Sequence, residues 1–207
     1  MTKFQILRIH GGMTFKNREG YLDYLKNKKV RLSEKISWHG DYLKNKLGED
    51  FQIISPRMPL MDNAKYEDWK IVFENYLEAM DNNFILIGTS LGGIFLAKYL
   101  SENKINKKIL SVYLVGPPFD DESTQGEDLV GGFELDKDLS LIEKNCSDIT
   151  LMFSEDDESV PEINAEKYRE KLKNSKIIVY KSKNGHFQIE EFPEIVKMIK
   201  GDVGEIL

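Results

Sequence analysis

Cysteine, histidine and long apolar runs are scarce in this 207-residue chain, and each scarcity closes a route. The single cysteine, Cys146, has no second thiol with which to form an internal disulfide. Three histidines (His10, His39 and His186) with that one thiol fall short of the usual Cys/His set of a structural zinc, so no metal site is expected. No stretch approaches the roughly 18 apolar residues of a membrane-spanning helix. The opening MTKFQILRIH lacks the basic and apolar regions of a secretory leader, so a cytoplasmic chain without membrane association is expected. Twenty-nine Lys and Arg against 35 Asp and Glu leave a net charge of −6, which repels a phosphate backbone and argues against nucleic acid as a partner. What the chain does have is core-forming material, 41% hydrophobic residues with 11 Phe, 9 Tyr and 2 Trp. That suits one packed domain over residues 1–207 and is short for two.

The apolar pattern alternates between short continuous runs and helical spacing. Phe4 to Ile9, Phe51 to Ile54, Asn83 to Gly88, Leu110 to Val115, Ile149 to Phe153 and Lys176 to Tyr180 read as buried strands. Between them, helical spacing covers Trp38 to Leu47, Tyr66 to Met80, Ser90 to Leu100, about Asp138 to Lys144, Ile163 to Leu172 and Glu190 to Lys200. The stretch from Met13 to Ser37 is charge-rich, with helical spacing only at Tyr21, Leu22 and Leu25, and reads as a surface excursion. Its basic part, Lys26 to Lys35, reads as a solvated face. The hexapeptide DYLKNK recurs at Asp23 to Lys28 and Asp41 to Lys46, a likeness that two amphipathic helices of this composition produce without a true repeat. Strands alternating with helices predict an α/β fold, a mostly parallel sheet with helices on both faces. Function in such sheets collects at the carboxyl ends of the strands.

One of those ends carries Gly88-Thr89-Ser90-Leu91-Gly92, a G-x-S-x-G motif that follows a buried strand and opens a helix. That setting makes a nucleophile elbow: the serine takes strained angles so that its hydroxyl stands clear of the sheet, and glycines two residues away on either side avoid collision. The helix N-terminus aims the Leu91 N–H at the reacting centre, where it suits an oxyanion. A second donor is expected from the loop after the first strand, Gly12 N–H first and Met13 behind it.

A serine hydroxyl needs a base near neutral pKa, and histidine is the usual choice. His186, in Asn184-Gly185-His186-Phe187, follows the last strand on the edge where Ser90 emerges. His10 leads into Gly11-Gly12 and suits loop shaping, and His39 starts a helix. The base needs a carboxylate to set its tautomer. Four acids, Glu155, Asp156, Asp157 and Glu158, follow the fifth strand. Asp157 is favoured because Pro161 ends the loop rigidly and the interval to His186 holds one helix and one strand. Asp156 is the reserve, and Asp120 after the preceding strand is a third choice.

With Ser90, Asp157 and His186 in that order, the chain resembles the α/β-hydrolase superfamily. Within it the chain is similar to the compact serine hydrolase family of the retinoblastoma-binding serine hydrolase and small bacterial esterases. Ile9-His10-Gly11, Trp38 to Leu47, Pro56-Arg57-Met58-Pro59, the Trp69 helix, IGTSLGG, SEDDESVP and NGHF carry the likeness. It implies a three-layer sandwich without a large cap, Ser90 as nucleophile, His186 as base, Asp157 as acid, and no cofactor. The implied reaction is hydrolysis of small carboxylic esters through an acyl-enzyme, so the expected partner is a small ester or related acyl compound. Nothing in the sequence indicates a protein partner. Thioester or amide cleavage, and a non-catalytic protein-binding module on the same fold, are the alternatives. Two departures stand out: an insertion at about 13–37 beside the oxyanion loop, and Asp157-Glu158 where relatives often have Asp-Pro. Met13, Met58 and Met61 either line an acyl pocket or fill core gaps.

Overall fold

The computed structural model describes residues 3–204 apart from 31, 34, 35, 125–127 and 137. The Lys26 to Lys35 stretch therefore lies partly outside the described residues. Six strands form one sheet: β1 Phe4–Ile9, β2 Phe51–Ile54, β3 Phe84–Thr89, β4 Ile109–Val115, β5 Ile149–Ser154 and β6 Lys176–Tyr180. Their order is β2-β1-β3-β4-β5-β6, and every pairing is parallel. The helices are α1 Arg18–Asn27, α2 Leu43–Leu47, α3 Tyr66–Ala79, α4 Leu91–Glu102, α5 Ser140–Asn145, α6 Ile163–Lys171 and α7 Pro193–Val203. The expected α/β class and parallel sheet are observed, and among the described residues no large cap covers the carboxyl edge of the sheet.

Successive side chains of the central strands enter different layers, which is why these strands read as unbroken apolar runs. Phe84 and Leu86 pack with Trp69 and Phe73 of α3 and Phe95 of α4, and this layer continues to α5 and α6. Ile85 and Ile87 pack with Leu43 of α2 and with Ile195 and Ile199 of α7 on the opposite face. No helix among the described residues is long and apolar enough to cross a membrane.

One element differs from the helical reading of the sequence. The expected helix over Trp38 to Leu47 breaks: Trp38–Tyr42 is a wide turn closed by Leu43 N–H donating to Trp38 O, with Gly40 at φ −94°, ψ −129°, and only then does α2 begin. The cause is tertiary. Trp38 N–H donates to Ile189 O at 3.1 Å, and the fully buried indole sits edge-on to Phe192 at 5.2 Å. Packing against the last loop thus overrides helix continuation. The two DYLKNK segments are also unequal: α1 buries no residue, whereas Leu43 in the second copy is fully buried.

From β1 the chain moves outward to β2, and from β3 it moves the other way to β4. The loops after β1 and β3 therefore diverge and leave a crevice at the carboxyl ends of the strands. Gly11 to Met13 and Ser90 emerge there.

Candidate active site

Ser90 sits between β3 and α4 at φ 53°, ψ −123°. A side-chain-bearing residue in this region is strained and persists only where its neighbours over-determine it. Here Ser90 N–H donates to Val115 O of β4 at 2.9 Å, and Ser90 O accepts from Gly93 N–H at 2.7 Å and Ile94 N–H at 3.2 Å. The flanking glycines answer a space requirement. A Cβ on Gly88 would lie 2.5 Å from Gly92 O, and one on Gly92 would lie 2.5 Å from His10 O and collide with Ile9 O. Only a backbone without side chains at both positions makes so sharp a turn.

Four residues of the loop after β6 hold His186. Asn184, Gly185 and Phe187 all have positive φ, Phe187 N–H donates to Gly185 O at 2.8 Å, and Asn184 Nδ2 donates to Gln188 O at 2.8 Å. His186 Nδ1 lies 2.5 Å from Asp157 Oδ2. Opposite a carboxylate, Nδ1 carries the proton, which leaves Nε2 with a free lone pair. The Asp157 side chain is fully buried, and its other oxygen accepts from Ser159 N–H at 3.0 Å and Val160 N–H at 2.9 Å. Of the four acids in the run it alone is buried. Asp156 points away and accepts from the Ser154 and Ser182 hydroxyls, each at 2.5 Å, and from Lys183 N–H at 3.1 Å. Those hydroxyls hold its carboxyl well below the usual carboxylate range. Asp120 caps the short turn Asp121–Ser123 and pairs with Lys167 at 2.6 Å. The structure brings neither Asp156 nor Asp120 to His186.

The loop after β1 is braced by His10. Its Nδ1 lies 2.6 Å from Gly11 O, its Nε2 accepts from Met58 N–H at 2.9 Å, and its ring meets Trp69 edge-on at 5.6 Å. Both ring nitrogens are committed, and burial lowers its basicity. Leu91 is the first residue of α4, where an N–H has no partner within the helix. Gly12 lies against it: a Cβ there would come within 3.1 Å of Leu91 Cδ2 and 2.8 Å of Met61 O. Met13 N–H donates to Met61 O at 2.8 Å, so the donor expected behind Gly12 is already engaged.

Ser90 borders two unequal spaces. On one side, a cavity of about 230 Å³ is lined by Ser90, His186, Ser37, Trp38, His39 and Gln188. On the other, Gly12, Met13, Ser90, Leu91 and Leu129 leave a groove of only about 10 Å³. His39 belongs to the cavity wall because the wide turn after Ser37 swings it there, with Ser37 Oγ 2.9 Å from its Nδ1. Sequence periodicity, which treats Trp38 to Leu47 as one helix, hides this. Gly116 was equally hidden. At φ +57°, it lies under the His186 ring, and a Cβ there would come 2.9 Å from His186 Cε1. Gly116→Ala is expected to push the imidazole aside and cut the reactivity of the site by about 100-fold, with the melting temperature measured alongside to separate misplacement from unfolding.

Residues 31–199 match a family described as serine hydrolase. Among curated proteins, none matches the chain in sequence. Among solved structures, the chain is similar to the ydeN gene product of B. subtilis, with TM-score 0.74 and 16% identity over 98% of this chain and 100% of that one. It is also similar to a YdeN-like hydrolase from Pectobacterium atrosepticum, with TM-score 0.61 and 16% identity over 99% and 92% of the two chains. An esterase from Exiguobacterium antarcticum aligns with TM-score 0.59 and 15% identity over 98% and 92%. At these identities the likeness is one of fold.

Proposed function

The chain belongs to the serine hydrolase family, and from that premise we propose that it cleaves small carboxylic esters through an acyl-enzyme formed on Ser90. The observation that carries this reading is the 2.5 Å contact between His186 Nδ1 and buried Asp157, with His186 lining the same cavity as the strained Ser90.

In this reading His186 Nε2 takes the Ser90 hydroxyl proton as Oγ bonds to the ester carbonyl carbon. Negative charge then develops on the former carbonyl oxygen, and the Leu91 and Gly12 N–H groups stabilise it; such donors are worth about 3 kcal/mol each in the transition state. The carbon–oxygen bond to the leaving group breaks, and the imidazolium returns its proton to the departing oxygen, releasing an alcohol. Water then attacks the acyl-enzyme, giving its proton to His186, and the acid leaves as Ser90 regains its hydrogen. The sum is ester plus water giving acid plus alcohol, with no cofactor consumed. Asp157 keeps the imidazole in the productive tautomer and faces the imidazolium that forms during the reaction. The carboxyl position in the family order Ser, Asp, His supports the same assignment.

A fluorophosphonate probe is expected to label the wild-type protein at Ser90 and to leave folded Ser90→Ala unlabelled. Absence of labelling on folded wild-type protein, together with no turnover of p-nitrophenyl acetate, would transfer the proposal to a non-catalytic binding module.

A further inference from the structure

The two spaces beside Ser90 have different owners in the reaction. His186 must hand a proton to the departing oxygen, so the leaving group occupies the 230 Å³ cavity that His186 lines. Leu91 and Gly12 line the opposite groove, so the carbonyl oxygen and the acyl substituent face that side. The groove is narrow, about 10 Å³, and leaves room for no more than a very small acyl substituent beside the carbonyl oxygen.

Beyond this groove lies a hollow of about 430 Å³ under α1, walled in part by Phe15, Tyr24 and Asn27. Met13 and Asp128 line both spaces and so form the partition between them. Asp128 is pinned. Its carbonyl accepts from Thr14 Oγ1 at 2.5 Å, its carboxylate accepts from Lys16 N–H at 3.0 Å, and Lys16 Nζ lies 3.1 Å from the same carboxylate. The Met13 side chain, unbranched and flexible, is the part of the partition that substitution can remove.

Resting on the esterase reading above, we infer that Met13 sets the acyl length. The enzyme takes esters of acetyl-sized acids whose bulk lies in the alcohol, and the hollow under α1 is an acyl-chain extension that Met13 closes off. The insertion between β1 and Trp38 thereby acts in selectivity from the acyl side.

The test compares kcat/KM for p-nitrophenyl acetate, butanoate and octanoate in wild type, Met13→Ala, Leu129→Ala and Ser90→Ala. Wild type is expected to lose at least about tenfold between acetate and octanoate. Met13→Ala opens the hollow and is expected to raise the octanoate-to-acetate ratio by about tenfold or more. Leu129→Ala widens only the groove, so its gain is expected for butanoate and not for octanoate. Wild type hydrolysing octanoate as well as acetate would overturn the inference, as would an unchanged ratio in Met13→Ala. If Ser90→Ala retains turnover, the catalytic reading itself fails. If Ser90→Ala is dead while the acyl profile is flat, only the length limit fails.

Discussion

His186→Ala is expected to lower kcat for p-nitrophenyl acetate by about 10⁶-fold, with the fold and melting temperature little changed. The depth of the loss follows from the absence of a substitute. His10 has both ring nitrogens committed, to Gly11 O and to Met58 N–H, and burial further lowers its basicity. His39 faces the same cavity but has its Nδ1 at 2.9 Å from Ser37 Oγ, on the wall that also holds Trp38. Asp157 is buried and spends its second oxygen on two backbone N–H groups, so it has no path to Ser90 except through the imidazole. The loss is also expected to be non-additive. A protein carrying both Ser90→Ala and His186→Ala should be no slower than either single variant, because the two residues act as one unit and the remaining rate comes from the N–H donors and binding. Kinetics of the three variants check this. A His186→Ala protein that keeps about a tenth or more of wild-type kcat would point to another base.

The parts of this site that were legible in the sequence are those whose residue types encode local backbone geometry. Gly88 and Gly92 announce the elbow because a Cβ at either position runs into backbone within a few residues or on the adjacent loop. The alternation of apolar runs with helical spacing yielded the α/β class because a parallel sheet buries both faces of its strands. The contribution of Trp38 to Tyr42 was illegible for the opposite reason. Its helical spacing is real, but the break at Gly40 follows from contacts with Ile189 and Phe192 near the other end of the chain. Gly116 gives the same lesson. Its sequence context, Gly116-Pro117-Pro118, says only that a strand stops, and its place beneath His186 depends on two distant loops meeting. Met13 was legible only as one of three methionines that could line an acyl pocket; that it borders two separate spaces depends on where α1 packs.

The acid is the intermediate case, and it leads to the second large effect. Asp156 and Asp157 are adjacent and alike in composition, yet their side chains diverge: one is exposed and ties buried Ser154 to Ser182, the other is buried against His186. Asp157→Asn is expected to lower kcat by about 10⁴-fold while preserving the fold. The amide oxygen replaces Oδ1 as acceptor for Ser159 and Val160 N–H, which turns the amide nitrogen toward His186 Nδ1. An N–H donor there needs an unprotonated Nδ1, so the imidazole carries its proton on Nε2 and has no lone pair for the Ser90 hydroxyl. Geometry is kept and the tautomer is reversed. Asp156→Asn, by contrast, only loosens the tether between the end of β5 and the loop leading to His186, and is expected to cost no more than about tenfold in kcat. Measured side by side with melting temperatures, the two variants separate a carboxylate that sets proton position from one that holds a loop. Equal losses would remove the distinction, and a deeper loss in Asp156→Asn would reverse the roles.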